Sequence, residues 1–241
     1  MNYEEERANF SLEIPKFYNF GFDVIDKRAR EADKTAFISI DRSGDNIVYH
    51  SFSDLSRDSN RFANALRTIG LSKGDHAFVM IPRIPAWYHV MIGCIKSGVV
   101  AMPGTNLLMP KDIEYRINMA GAKVAIVTDS HVGKIEEIKS KCPSLEYLIV
   151  IGGNHDGWVG FESACADASD TLDREDHEPT RSEDTMLVFF TSGTTSMPKM
   201  VPRDNGYALA HSITGKYWMD LKESDIHWTL SDTGWANPDI S

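Results

Sequence analysis

From residue 35 onward, short apolar runs alternate with longer stretches whose apolar residues recur at helical spacing. TAFISI (35–40), HAFVMI (76–81), VVAM (99–102), KVAIVT (123–128), EYLIVI (146–151) and MLVFF (186–190) have the length and β-branched character of strands. Between them, Leu55, Phe62, Leu66 and Ile69 fall on one helical face, with Ser53 as the expected cap and Gly70 at the end. Trp87, Val90, Met91, Cys94 and Ile95 repeat at i, i+3, i+4, i+7 and i+8, and Gly98 stops them. Pro110 suits a first helical residue before a helix ending near Gly121, and a further helix is predicted near 131–141. Asp204 is placed to cap a helix reaching about Trp218, and HWTL (227–230) reads as one more strand. Continuous apolar strands joined by amphipathic helices predict an α/β fold, a largely parallel sheet flanked by helices on both faces.

Four segments follow from this pattern. Residues 1–34 form an N-terminal extension and first helix, and 35–165 a first α/β subdomain. Residues 166–185 read as an acidic linker. Residues 186–241 carry a polar loop and the start of a second α/β subdomain. The linker, ADASDTLDREDHEPTRSED from Ala166, is rich in acid but has no metal-ligand spacing, so a solvated connection is expected. No internal repeat is present.

The chain has 241 residues, enough to bury roughly 70–75% of its unfolded surface without staples. Its net charge of −10 argues against nucleic acid, whose phosphates must be neutralised by Lys and Arg. A nucleotide stays admissible, because a local loop can hold phosphate inside an acidic protein. Cys94, Cys142 and Cys165 are far apart and odd in number, as expected of thiols in a reducing compartment. The start, MNYEEERANF, is acidic and lacks an apolar core, unlike a signal or transit peptide. The most apolar stretch, 86–104, is interrupted by His89, Lys96 and Ser97 and falls short of a membrane span. A cytoplasmic location is the expectation.

One segment carries chemistry. FFTSGTTSMPK (189–199) leaves an apolar run for Thr191, Ser192, Gly193, Thr194, Thr195 and Ser196, then Pro198 and Lys199. Gly193 lets backbone N–H groups approach an anion, and successive N–H groups in such a turn form an anion-binding concavity. Hydroxyls donate without adding charge, Pro198 restricts the backbone beside Lys199, and Lys199 brings a positive charge. These are parts for holding a polyphosphate. The loop is not a Walker A motif, since the fifth residue after Gly193 is Pro198, and neither that motif nor a kinase catalytic loop occurs.

The ordered string TSGTT-x-x-PK resembles the phosphate-binding motif of the adenylate-forming enzymes, usually [ST]SGTTG-x-PKG. Here Ser196 and Met200 stand where that family has glycines. Residues 80–127, with PR-x-P-x-W, the MPGT turn and D-I-x-Y-R, look like the medium-chain branch of acyl-CoA synthetases, as does SDTGW (231–235). The likeness runs from about residue 20 to the end. It implies an ATP-dependent ligation of a fatty or branched carboxylate to CoA through an acyl-adenylate, releasing pyrophosphate and AMP. Thr191, Ser192, Gly193, Thr194, Thr195 and Lys199 would hold the β- and γ-phosphates, with Lys199 and Thr194 the catalytic candidates. Trp235 would wall the acyl chain. His211, His227 and Arg83 are given no role.

Members of that family are more than twice this long. Their adenine- and Mg²⁺-contacting segment, ribose-binding aspartate, hinge and mobile domain with its catalytic lysine do not appear in these residues. The Mg²⁺ ligands are therefore expected outside this chain, and the isolated chain is expected to be inactive. The alternative is a non-catalytic remnant that binds nucleotide or acyl ligand weakly, or needs a partner chain. An unpaired final strand would favour self-association or capture by a second chain.

Overall fold

The computed structural model describes residues 2–31, 34–176, 178–191 and 197–234. The chain opens with α1 (Tyr3–Asn9), a π-helical turn at Gly21–Asp26 and α2 (Lys27–Glu31). β1 (Thr35–Ile40) and β2 (Ile47–Ser51) pair antiparallel in a two-stranded sheet of their own. TAFISI therefore does not enter the main sheet. No position of this strand is fully buried, as suits a half-covered ribbon, whereas the runs that do enter are apolar on both faces.

α3 (Phe52–Thr68) begins two residues earlier than the sequence suggests. The Ser51 hydroxyl accepts from the Asp54 amide at 3.1 Å, and the Asp54 carboxylate accepts from the Ser51 amide at 3.1 Å. This reciprocal box satisfies two free N–H groups at once, and Ser53 instead donates to the Ala29 carbonyl. There follow β3 (His76–Met80), α4 (Pro85–Ser97), β4 (Val100–Pro103), α5 (Pro110–Ala120) and β5 (Val124–Thr128). Gly98 and Gly121 end α4 and α5 in the left-handed region, at φ 72° and 63°.

The region near 131–141 is not one helix. A 3₁₀ turn leads into α6 (Val132–Glu136), and a second 3₁₀ turn covers Lys139–Lys141. Val132 and Ile135 share the buried face of α6, and Ile138 leads buried into the second 3₁₀ turn. β6 (Tyr147–Ile151), β7 (Val159–Gly160), α7 (Phe161–Asp167), β8 (Thr185–Thr191), β9 (Lys199–Asp204) and α8 (Asn205–Ile213) complete the elements. Asp204 caps α8, its carboxylate accepting from the Tyr207 amide at 3.0 Å, and a π turn continues to Trp218. The expected strand at 227–230 does not form; those residues have no ladder partner among the described residues.

The main sheet has seven strands in the order β7-β6-β5-β3-β4-β8-β9. All neighbours are parallel except β8 and β9. Successive strand residues face opposite layers. Ala77, Val79, Val124, Ile126, Leu187 and Phe189 pack under α3 and α4 with Phe62, Leu66 and Cys94. Phe78, Met80, Ala125, Val127 and Val188 pack against Ile113, Ile117 and Ile135 of α5 and α6. The fold is thus the expected parallel α/β architecture.

The acidic stretch is tied down. Asn60 and Asn64, one turn apart on α3, donate to the carbonyls of Asp170, Ser169 and Thr171 at 2.8–3.0 Å. All three cysteines are free; burial pushes Cys94 and Cys165 up to about 12. Among the described residues no helix is long and apolar enough to cross a membrane.

Candidate functional site

The chain leaving β3 crosses to the α3/α4 layer, and the chain leaving β4 crosses to the α5/α6 layer. Parallel strands whose connections diverge in this way open a crevice beyond their carboxyl ends, where open α/β sheets place ligands. The carboxyl end of β8 lies beside β4 at the same edge.

There β8 turns back as β9. Thr191 and Lys199 are register partners at the end of this hairpin, with the hydroxyl-rich sequence between them in the chain. Both are exposed. Among the described residues no carboxylate pairs with Lys199. Ser192, Gly193, Thr194 and Thr195 lie outside the described residues, as does Trp235.

Helix α5 reaches the hairpin from the β4 side. The Tyr115 hydroxyl donates to the Pro198 carbonyl at 3.0 Å. Its ring meets Phe190 edge-on, and the Arg116 guanidinium lies 5.3 Å from the Phe190 ring centre. Burial holds Arg116 below the usual guanidinium range, with Asp112 opposing. The β4–α5 loop is pinned by Lys134, whose ammonium donates to the carbonyls of Asn106 and Leu108 at 2.9 Å each.

The segment after residue 228 occupies the β3/β4 crevice. Arg83 donates to the Thr229 carbonyl, and the Thr233 hydroxyl donates to the Ile81 carbonyl at 2.6 Å. Gly234 presses on the β4–α5 loop so closely that a β-carbon would overlap the Thr105 nitrogen. The glycine of SDTGW is needed for that approach.

Sequence reasoning thus named the two ends of the hairpin but missed Tyr115, Thr233, Gly234 and the contact of Arg83. Gly234 stands in the quoted SDTGW string, and glycine is the residue that permits close backbone approach. Tyr115 stands in the quoted D-I-x-Y-R string, but its contact with Pro198 spans 83 residues and cannot be read from it. His227 is exposed, its ring 2.9 Å from the Thr229 hydroxyl. His211 is half-buried against the Tyr207 ring, and burial, then the Arg203 charge, lowers its pKa.

The largely parallel α/β sheet, with Thr191 and Lys199 paired at its carboxyl edge, is matched by the AMP-binding enzyme family over residues 25–238. The chain belongs to that family. The curated relatives it matches are acyl-coenzyme A synthetases. The mitochondrial acyl-coenzyme A synthetase ACSM3 of Mus musculus is 36% identical over 98% of this chain and 41% of its own length. The mitochondrial ACSM1 of Homo sapiens is 37% identical over 92% of this chain and 40% of its own length. The chain therefore spans about two fifths of the length of the curated relatives it matches. Among solved structures, the anthranilate CoA ligase AuaEII in complex with anthranoyl-AMP superposes with a TM-score of 0.76. It shares 28% identity over 85% of this chain and 38% of its own. An acyl-CoA synthetase of Brucella canis has the same fold, with TM-score 0.83 and 24% identity, covering 98% of this chain and 42% of its own.

Proposed function

We propose that this chain carries the phosphate-gripping part of an ATP-dependent acyl-CoA ligase acting on a small-molecule carboxylate. The carboxylate oxygen attacks the α-phosphorus of ATP, the bond to the bridging oxygen breaks, and pyrophosphate leaves. The CoA thiolate then attacks the acyl carbonyl of the acyl-adenylate, and AMP departs. The observation that carries this reading is the pairing of Thr191 with Lys199 across the hairpin, with the string SGTT between them. The solved relative bound to anthranoyl-AMP supports an acyl-adenylate.

In this reading Lys199 and Thr194 stabilise the charge that grows on the departing pyrophosphate, and Thr191, Ser192, Gly193 and Thr195 orient the β- and γ-phosphates. Aimed donors of this kind are the main protein contribution to such a transfer, and removing one costs on the order of 10²–10³ in rate. Trp235 would border the acyl group. Bound Mg²⁺ would neutralise the polyphosphate, but among the described residues no group of three His, Cys, Asp or Glu side chains gathers to hold it. Residues 35–165 supply five of the seven strands of the main sheet, and 186–241 carry most of the β8–β9 hairpin with the phosphate loop. The adenine, ribose and CoA contacts belong to the three fifths that the relatives carry in addition. Three free cysteines suit a reducing compartment, the cytoplasm in our reading, although the named relatives are mitochondrial. Exposed Trp218, Ile226, Trp228 and Leu230 are where a second copy of the chain would join.

Calorimetric titration of the purified chain with inorganic pyrophosphate tests the reading. Saturable binding that falls in Lys199→Ala, with the melting temperature unchanged, is expected. A folded wild-type chain that takes up no pyrophosphate at millimolar concentration would overturn it.

A further inference from the structure

Pro198 immediately precedes the lysine on which the proposed phosphate grip depends. The proline ring fixes φ, so the direction of the Pro198–Lys199 peptide is set by one remaining torsion, ψ. The only side chain among the described residues that bonds the Pro198 carbonyl is Tyr115, at 3.0 Å. That hydroxyl comes from α5, an element otherwise buried in the opposite layer through Ile113 and Ile117. The tyrosine is itself held. Its ring is 6.5 Å from that of Phe190 at 70°, and Phe190 is the register partner of Met200, the residue after Lys199. Arg116 covers Phe190 by a cation–π contact and is anchored by donating to the Asp112 carbonyl at 2.9 Å.

We infer that Tyr115 is a positioning residue for Lys199. Its hydrogen bond locks the Pro198–Lys199 peptide and so fixes where the Lys199 ammonium is presented to a phosphate. Tyr115 touches no substrate in this role. It reduces the backbone freedom that binding would otherwise have to freeze out, and its contribution is therefore read in ligand affinity. A packed tyrosine usually bonds some acceptor, but here the acceptor is the carbonyl of the peptide that carries Lys199, and Tyr115→Phe separates that bond from the packing of the ring on Phe190. The inference rests on the proposed phosphate grip and is separable from it.

The test compares the wild type with Tyr115→Phe, which keeps the ring on Phe190 and deletes only the hydroxyl. Both are titrated with inorganic pyrophosphate, and their melting temperatures are measured. Affinity in Tyr115→Phe is expected to fall about three- to tenfold, the size of one modest hydrogen bond. Melting should stay within about 2 °C, since the lost bond sits at the end of an edge hairpin. Amide exchange over residues 197–203 should quicken in the variant, with the β3–β5 core unchanged. Wild-type affinity and unchanged exchange in Tyr115→Phe would overturn the inference and leave the phosphate grip standing. A wild-type chain without pyrophosphate affinity would remove both. If the variant melts early, exchange at 10 °C still reads the hairpin directly, and uniform acceleration across the sheet would assign Tyr115 to packing alone.

Discussion

The ammonium of Lys96 lies 2.6 Å from the carboxylate of Asp26, and the lysine side chain is wholly shielded from water. The same ammonium donates to Asn60 Oδ1 at 2.6 Å and to the Ser56 carbonyl at 3.3 Å. Ser56 donates in turn to Asp26 Oδ1 at 2.6 Å. The cluster joins α3, α4 and the π turn before α2. Burial lowers the Lys96 pKa and the Asp26 charge opposes that shift. Gly21 passes so close to the lysine stem that a β-carbon there would overlap its Cγ.

Removing one charge from this pair leaves the other buried and alone. Asp26→Asn is expected to destabilise the fold by about 3–5 kcal/mol, measured as a shift of the urea midpoint. The double variant Asp26→Leu, Lys96→Met should recover most of the loss, because two apolar side chains of similar volume avoid the desolvation cost. A single variant unfolding at the wild-type midpoint would show that the pair is not closed to water.

At the hairpin, Lys199 is exposed and its removal should leave stability within about 0.5 kcal/mol. Its loss should appear in phosphate binding instead. A charge-assisted hydrogen bond contributes about 1.5–3 kcal/mol, so Lys199→Ala should weaken pyrophosphate affinity roughly 10- to 100-fold. Lys199→Arg should keep part of it, because the charge remains while the point donor is replaced by a planar fork. Titrations at 50 and 300 mM salt should show a shallower salt dependence for the alanine variant. Equal affinities in all three proteins would sink the role given to Lys199.

What could be read beforehand, and what could not, divides along physical lines. β3, β5, β6 and β8 were legible because strands covered on both faces are apolar at every position. The ends of α4 and α5 were legible because Pro110, Gly98 and Gly121 act locally. The Ser51 cap was missed by two residues, since both serines precede the same apolar stripe and only Asp54 decides between them. TAFISI and HWTL have similar strand propensity. What becomes of each depends on whether a partner strand is present, which no local pattern encodes. Thr191 and Lys199, the two proposed site residues that are described, were named from residue order alone. Tyr115 and Gly234 act through α5 and the β4–α5 loop, contacts that exist only once the sheet has brought α5 beside β8.

His76 opens β3 and is half-buried beside Lys73, Glu178 and Asp184, with Asp75 adjacent. Burial lowers its pKa and the Asp75 charge opposes this. In the unfolded chain the imidazole takes its proton near pH 6.5, whereas the folded chain resists until a lower pH. Between those two values the unfolded state binds more protons, so stability falls as pH drops through the window and levels off below the folded pKa. Burial acts in the same direction on His89, His131 and His211. His76→Gln should therefore flatten, and not abolish, the decline of urea stability between pH 7.5 and 5.5. A steeper decline in the variant would mean that His76 is stabilised in its charged form by Asp75, Glu178 or Asp184.

Ile226, Trp228 and Leu230 are each about four-fifths exposed, and Trp218 is nearly so. Three large apolar residues at alternate positions, with no ladder partner among the described residues, are a template for pairing with another chain. In a two-fold arrangement the segment would meet its own copy antiparallel, and each apolar position would cover another. Burying a side chain of this size contributes about 1.5–3 kcal/mol, and three per chain work against the entropy of docking to favour weak association. Sedimentation velocity from 1 to 100 µM is expected to show the wild type shifting from monomer toward dimer. Trp228→Glu should stay monomeric at the top of that range with an unchanged melting profile, because the residue contributes nothing to the core. A wild type that remains monomeric at 100 µM would rule out the second copy as the occupant of this surface. Dimerisation that persists in Trp228→Glu would place the contact elsewhere on the molecule.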